Sequence, residues 1–209
     1  GKGYGRQMYA DALAYICKTA KKYNIFLSLV MPHLYNDAEI ESRYGNMVRI
    51  VNDTFKGGWN FTSMQDQGQA WTSWPNCVNQ FDGFTYWSHI AGRDKVILDG
   101  DFTIMHSYKT PAEKQFVVSI QLMAGGPIAV TDQYCTIGEG DVEYYTNEEM
   151  LALNKDRFVG HPMDDALMSP GSNVWYGRMS NGDYVVGLFN REDEPKAFKV
   201  ALSDLGING

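Results

Sequence analysis

The chain has 209 residues, of which 44% are hydrophobic and 21% charged, and its formal net charge is -7. That length buries the core of one domain, or of one domain and a small second one. The acidic balance argues against a nucleic-acid or anionic-membrane surface. No apolar run approaches the ~18 residues of a membrane span, and the opening Gly1-Lys-Gly-Tyr-Gly-Arg-Gln7 has no apolar signal region. Cys17, Cys77 and Cys135 fit no zinc spacing, and an odd count is poor ground for a disulfide framework. Asn52-Asp-Thr54 and Asn60-Phe-Thr62 match a glycosylation sequon, a motif short enough to arise by chance. Localisation is open on these grounds.

In chain order, Tyr9 to Lys22 reads as an amphipathic helix, with Tyr9, Leu13, Ile16, Cys17 and Ala20 on one face. Ile25 to Met31 is a continuous apolar run stopped by Pro32, the pattern of a strand covered on both sides. Met47 to Asn52 is a second strand, with Arg49 in its middle and Asp53 at its end. Lys56 to Trp87 is long for a loop and is predicted to hold a helix over Val78–Trp87. Val96 to Phe102 is a third strand. Thr110-Pro-Ala-Glu113 is a capping box that opens a helix to about Ala124. Pro127 to Asp132 is a fourth strand, and Thr146-Asn-Glu-Glu149 opens a helix to about Asn154. After Pro162 the pattern changes. Val174–Met179, an Asn181-Gly182 turn and Tyr184–Phe189 form a β-hairpin signal, and Phe198 to Leu202 alternates as a third antiparallel strand. Residues 1–162 therefore read as an α/β domain built on a parallel sheet, and 163–209 as a small antiparallel β domain.

An unpaired guanidinium in a buried strand costs several kcal/mol, so Arg49 calls for a local anion or polar partner. Asp53, the pair Asp99 and Asp101, and Asp132 all stand at strand ends, and His33 follows the remaining strand. Ionisable residues at the carboxyl ends of successive parallel strands are what a barrel enzyme uses for acid/base work. Asp is also common after strands as a turn or N-cap residue, which is the plainer account of each one alone. Trp71 and Trp74 in the long loop offer flat faces to a ligand or pack the loop down. His89 and His106 lack metal-like spacing and read as structural or exposed. No Gly-x-Gly-x-x-Gly, Walker or Gly-x-Ser-x-Gly pattern is present, so no cofactor and no metal are expected.

These motifs resemble those of glycoside hydrolase family 27, the α-galactosidase-like retaining glycosidases, and most of all its isomaltodextranase-like branch. Met47-Val-Arg-Ile-Val-Asn-Asp-Thr-Phe55 is similar to the branch's Met-x-Arg-Ile-Ser-Asp-Asp-Phe-Trp, and Ile97-Leu-Asp-Gly-Asp-Phe-Thr103 to its Trp-Pro-Asp-Ala-Asp-Met-Leu. Gln121 to Asp132 and Leu153-Asn-Lys-Asp-Arg-Phe-Val-Gly160 match later helix–strand motifs of the family. The likeness runs through nearly the whole chain in order.

The resemblance implies the second half of a (β/α)8 TIM barrel followed by part of an antiparallel β-sandwich. It implies hydrolysis of α-glycosidic bonds with retention, by two carboxyl groups about 5–5.5 Å apart. Asp53 matches the acid/base position. His33, Arg49, Asn52, Trp71, Trp74, Asp99, Asp101 and Asp132 would then bind sugar or tune the acid. The implied partner is an α-linked oligo- or polysaccharide. The nucleophile would lie upstream with the remainder of the barrel, and the protein would be secreted or periplasmic. Asn52 stands where the branch often has another Asp, and Leu29-Val-Met-Pro-His-Leu34 lacks the Glu of the family's Cys-Glu-Trp-Pro stretch, so galactose specificity is not implied. A non-catalytic sugar-binding relative, or a different barrel hydrolase or isomerase, remains open at this stage.

Overall fold

The structure, a computed structural model, describes residues 2–30, 38–51 and 79–207. Helix α1 (Lys2–Lys22) is followed by strand β1 (Ser28–Val30), helix α2 (Glu39–Tyr44) and strand β2 (Met47–Arg49). Helix α3 (Gln80–Trp87) precedes β3 (Ile97–Asp99) and β4 (Phe102–Thr103). Helix α4 (Pro111–Met123), strand β5 (Ala129–Val130) and helices α5 (Glu139–Thr146) and α6 (Glu148–Lys155) complete the α/β part. The strands β6 (His161–Pro162), β7 (Val174–Arg178) and β8 (Tyr184–Leu188) form the antiparallel part.

The first sheet is parallel in the order β1-β2-β3, and β4 pairs β5 in a second parallel sheet. Leu29, Val48 and Leu98 stand in register across the first sheet. Val48 and Leu98 are buried in the apolar core, and Leu29 packs against it. Side chains alternate along a strand. The neighbouring row of Val30, Arg49 and Asp99 therefore faces the opposite side, where Val30 is 68% exposed.

Helix α4 starts as its sequence requires. The Thr110 hydroxyl accepts from the Glu113 amide, and the Glu113 carboxylate accepts from the Thr110 amide. Such caps are worth about 1 kcal/mol. Helix α6 is capped by Asn147, whose side chain accepts from the Met150 amide, and not by Thr146, whose hydroxyl bonds back to Val142 O inside α5. Helix α5 has few apolar residues at helical spacing, and the sequence pattern passes over it.

One expected strand is two. Val96–Phe102 splits into β3 and β4 because Asp101 adopts a left-handed backbone, φ 67. Its amide donates to the Asp99 carboxylate at 2.8 Å, an Asx turn that ends the first ladder. Gly100 between them is pressed so close to α3 that a Cβ there would lie 2.7 Å from the Phe84 ring.

The hairpin β7–β8 has the expected turn, with Gly182 at φ 97. The antiparallel sheet also takes in β6 at His161–Pro162, just before the expected domain change. The expected strand over 198–202 does not form. Residues 195–201 carry no ladder, and Tyr184, Val186 and Leu188 on β8 are exposed. The two parts share one core: Phe81 of α3 packs against Phe116 of α4, Trp175 of β7 and Phe189. No helix among the described residues is long and apolar enough to cross a membrane.

Candidate active site

Two polar clusters stand at the carboxyl ends of the parallel strands. The first grows from the register of β2 and β3, which sets Arg49 beside Asp99. The Arg49 guanidinium does not close on Asp99. Its Nη2 reaches Asp101 Oδ2 at 3.1 Å, and its Nε donates to Val51 O at 3.0 Å. Both side chains are largely buried, 17% exposed for Arg49 and 4% for Asp101. Asp99 is spent on the Asp101 amide, so the three residues form one unit in which the Asx turn aims the second acid at the guanidinium. Helix α3 braces that turn, because Gln80 Nε2 donates to Gly100 O at 2.7 Å. The strand arginine thus has the buried anion that its burial demands.

The second cluster surrounds Asp132, just past β5. Its Oδ2 accepts from the Met105 amide at 3.0 Å and from the Tyr145 hydroxyl at 2.7 Å. Its Oδ1 accepts from the His106 amide at 3.2 Å and meets His106 Nδ1 at 3.1 Å. The Asp132 side chain is fully buried, while that of His106 is 42% exposed. Burial alone would raise the Asp132 pKa. The bonds from the Met105 amide, Tyr145, the His106 ring and the His106 amide outweigh it and hold the carboxyl below the usual range. Tyr145 is displaced upward, first by burial and then by the bond to Asp132 and its charge, so its phenol stays a donor.

Tyr108 ends the turn that carries Met105 and His106. It is buried, and its phenol is pushed well above its ordinary value by burial and then by the charges of Asp132, Glu113 and Asp101. The first cluster belongs to the β1-β2-β3 sheet and the second to the β4–β5 pair.

Of the residues singled out from sequence, Arg49, Asp99 and Asp101 come together. Asp132 stands in the neighbouring cluster, with both carboxylate oxygens already taken by the chain's own donors. Asp53, His33, Asn52, Trp71 and Trp74 lie outside the described residues, and Asn52 and Asp53 directly follow Val51. The sequence reading missed Gln80, Tyr145 and the role of His106. A polar residue opening a helix was the only signal for Gln80. His106 carried none, because its partner comes from a different strand end. Among the described residues, no three of His, Cys, Asp and Glu gather as a metal-ligating group.

Comparison with known proteins fits this arrangement. Residues 169–209 match the α-galactosidase C-terminal β-sandwich domain family. The isomalto-dextranase of Arthrobacter globiformis is 38% identical over 98% of this chain and 33% of its own length. An α-galactosidase of Oryza sativa subsp. japonica is 24% identical over 89% of this chain and 40% of its own. The solved structure of Arthrobacter globiformis T6 isomalto-dextranase complexed with panose superposes with a TM-score of 0.79 at 38% identity, covering 91% of this chain and 33% of that one. The chain belongs to the α-galactosidase/isomalto-dextranase family, of glycoside hydrolase family 27 type, and corresponds to its C-terminal region. It spans about a third of the length of the isomalto-dextranase and two fifths of that of the α-galactosidase.

Proposed function

We propose that this chain supplies the acid/base half of a retaining α-glycosidase site, within a longer protein that hydrolyses α-linked oligo- or polysaccharides. The observation that carries the proposal is the buried Arg49–Asp101–Asp99 unit at the carboxyl ends of adjacent parallel strands, in a chain 38% identical to an isomalto-dextranase. Asp53, four residues past Arg49, is the proton donor to the leaving oxygen and then the base that activates water. An upstream carboxylate attacks the anomeric carbon. A general acid works best with its pKa raised towards neutrality, an effect that neighbouring carboxylates would favour. Arg49, Asp99 and Asp101 also bind sugar hydroxyls, together with His33, Asn52, Trp71 and Trp74. Asp132 acts on the sugar through the ring it holds. The identity to isomalto-dextranase, and the missing Glu in Leu29–Leu34, favour α-glucans over α-galactosides as substrate.

In this reading β1, β2, the split strand β3–β4 and β5 are four consecutive strands of the second half of a (β/α)8 barrel, and the division into 1–162 and 163–209 separates it from the β-sandwich. Apolar residues on the outer strands, Val30 and Val130 at 68% and 51% exposure, are what strands and helices elsewhere in the longer protein would cover.

The test is Asp53→Asn in the full-length protein, assayed on an isomalto-oligosaccharide and on an α-galactoside. Turnover is expected to fall by about 10³-fold or more, as for loss of a positioned acid/base group, with the melting temperature unchanged. Full activity in the variant would remove Asp53 from the mechanism. One observation favours a second reading: Asn52 replaces an acid of the family motif. Panose binding in calorimetry, with no turnover by the full-length protein, would make it a non-catalytic sugar-binding relative.

A further inference from the structure

The exposed imidazole of His106 has no task in the proposed acid/base chemistry, yet it is held with more care than a surface residue needs. Its Nδ1 faces an Asp132 carboxylate whose side chain is fully buried. The other groups within bonding distance of that carboxylate, the Met105 and His106 amides and the Tyr145 hydroxyl, are all donors. The phenol has no other choice, since its second contact is the Thr103 carbonyl at 3.1 Å. A buried carboxylate surrounded in this way is anionic, and an anion accepts only. Nδ1 must therefore carry a proton. In the neutral ring Nε2 is left with a lone pair, on the edge of a side chain that is 42% exposed.

The ring is also in the right place. His106 lies on the short turn Met105–Ser107 that leaves the carboxyl end of β4, the short strand that follows Asp99 and Asp101. Tyr108, two residues on, senses the charges of both Asp132 and Asp101. The backbone bonds from Met105 and His106 to Asp132 already tie this turn to the end of β5, so the ring contact is additional to what the fold requires.

We propose that His106 is a substrate-contacting residue, whose tautomer Asp132 and Tyr145 fix so that Nε2 accepts a hydrogen bond from a sugar hydroxyl. The inference rests on the glycoside reading above. A carbohydrate suits such an acceptor because each hydroxyl can donate one directional bond. Asp132 and Tyr145 are positioning residues and do not touch the sugar.

The two ring nitrogens can be separated by substitution. In His106→Gln the amide reaches towards the Nε2 position, and in His106→Asn it reaches only the Nδ1 position. The experiment is calorimetric titration of the full-length protein with panose, in an Asp53→Asn background that keeps the ligand intact. His106→Ala is expected to weaken binding about tenfold, the effect of one lost hydrogen bond of ~1.4 kcal/mol. Gln should restore most of the loss and Asn none of it, with melting temperatures alike. The proposal is overturned if Asn restores binding and Gln does not, since the ring then only braces Asp132. It is equally overturned if the Ala variant binds as its parent does, or if the parent does not bind panose. Failure of the hydrolase reading looks different: the full-length wild type binds panose without turning over any α-glycoside, and the affinity series still decides the role of His106.

Discussion

The two clusters at the carboxyl ends hold buried carboxylates by different means. At Asp101 the compensation includes an opposite charge, the Arg49 guanidinium, delivered from the neighbouring strand. At Asp132 it is a shell of donors, two backbone amides, a phenol and a ring nitrogen, none of which need carry a charge. Removing an opposite charge from a buried pair is strongly destabilising, whereas a charge shared among several neutral donors weakens by degrees as they are lost. The first arrangement holds a buried, directional cation at the end of β2. The second leaves one face of an imidazole to the solvent.

The largest effect that follows is at Arg49. Arg49→Met keeps much of the side chain's apolar stem but removes the guanidinium that β2 sets against the buried Asp101. Breaking a buried pair on one side costs about 3–5 kcal/mol. The variant should lose that much in denaturant unfolding, and its activity on α-glycosides should fall further than its stability explains. A loss under ~1 kcal/mol would mean that the Asp99–Gly100–Asp101 turn relaxes and lets water in. The supposed contrast with Asp132 would then disappear.

That contrast was only partly legible in the sequence. Arg49 and the acids were visible because a guanidinium inside an apolar strand is rare and demands a partner, and because strand ends could be read from the apolar runs. The capping box at Thr110 and the Asn181-Gly182 turn were legible for the same reason: each is decided by residues a few positions apart. What could not be read was decided at a distance. Asp101 was taken as the continuation of a strand, but a local bond to Asp99 and the close packing of Gly100 on Phe84 turn it into a left-handed position. The strand expected over 198–202 has the right alternation but forms no ladder among the described residues. His106 read as an isolated histidine because the acid that orients it sits 26 residues away on another strand end. The capacity of Asp132 to meet a ligand also depends on donors from two separate segments, the Met105–Ser107 turn and α5, which no spacing rule reveals.

A middle-sized effect is expected at Asp132. Asp132→Asn is nearly isosteric, but it offers one acceptor oxygen where the carboxylate offered two, and it turns an N–H₂ towards existing donors. A buried group mispaired in this way costs about 1–3 kcal/mol. The pH dependence gives the sign. The folded carboxyl is held below its ordinary value of 3.8, so its contribution is complete above that pH and is lost as pH falls through the lower folded value. The stability gap between wild type and Asp132→Asn should be full at pH 7 and should shrink below about pH 4, as thermal unfolding at the two pH values would report. A gap that widened on acidification would mean that the shell of donors favours the protonated acid, and the tautomer assigned to His106 would fall with it.

The smallest effect, and the most discriminating, is at Tyr145. Its hydroxyl is 2.7 Å from Asp132 Oδ2 and 3.1 Å from Thr103 O, and its raised pKa keeps it protonated throughout the ordinary pH range. Tyr145→Phe removes the donor without opening a cavity, since the ring remains. Neither acceptor is orphaned. Asp132 keeps the Met105 and His106 amides and the imidazole, and Thr103 O still accepts from the Thr131 amide at 3.1 Å. The expected cost is therefore that of one hydrogen bond with no unsatisfied remainder, about 1 kcal/mol, or some 2–4 °C in the melting temperature for a domain of this size. Panose affinity should change less than in His106→Ala, because Nδ1 still meets an ionised Asp132. A loss as large as that of Asp132→Asn would show that the phenol alone sustains the anion. Asp132 would then depend on one dominant donor, and the contrast between the two clusters would narrow to the chemistry of that partner.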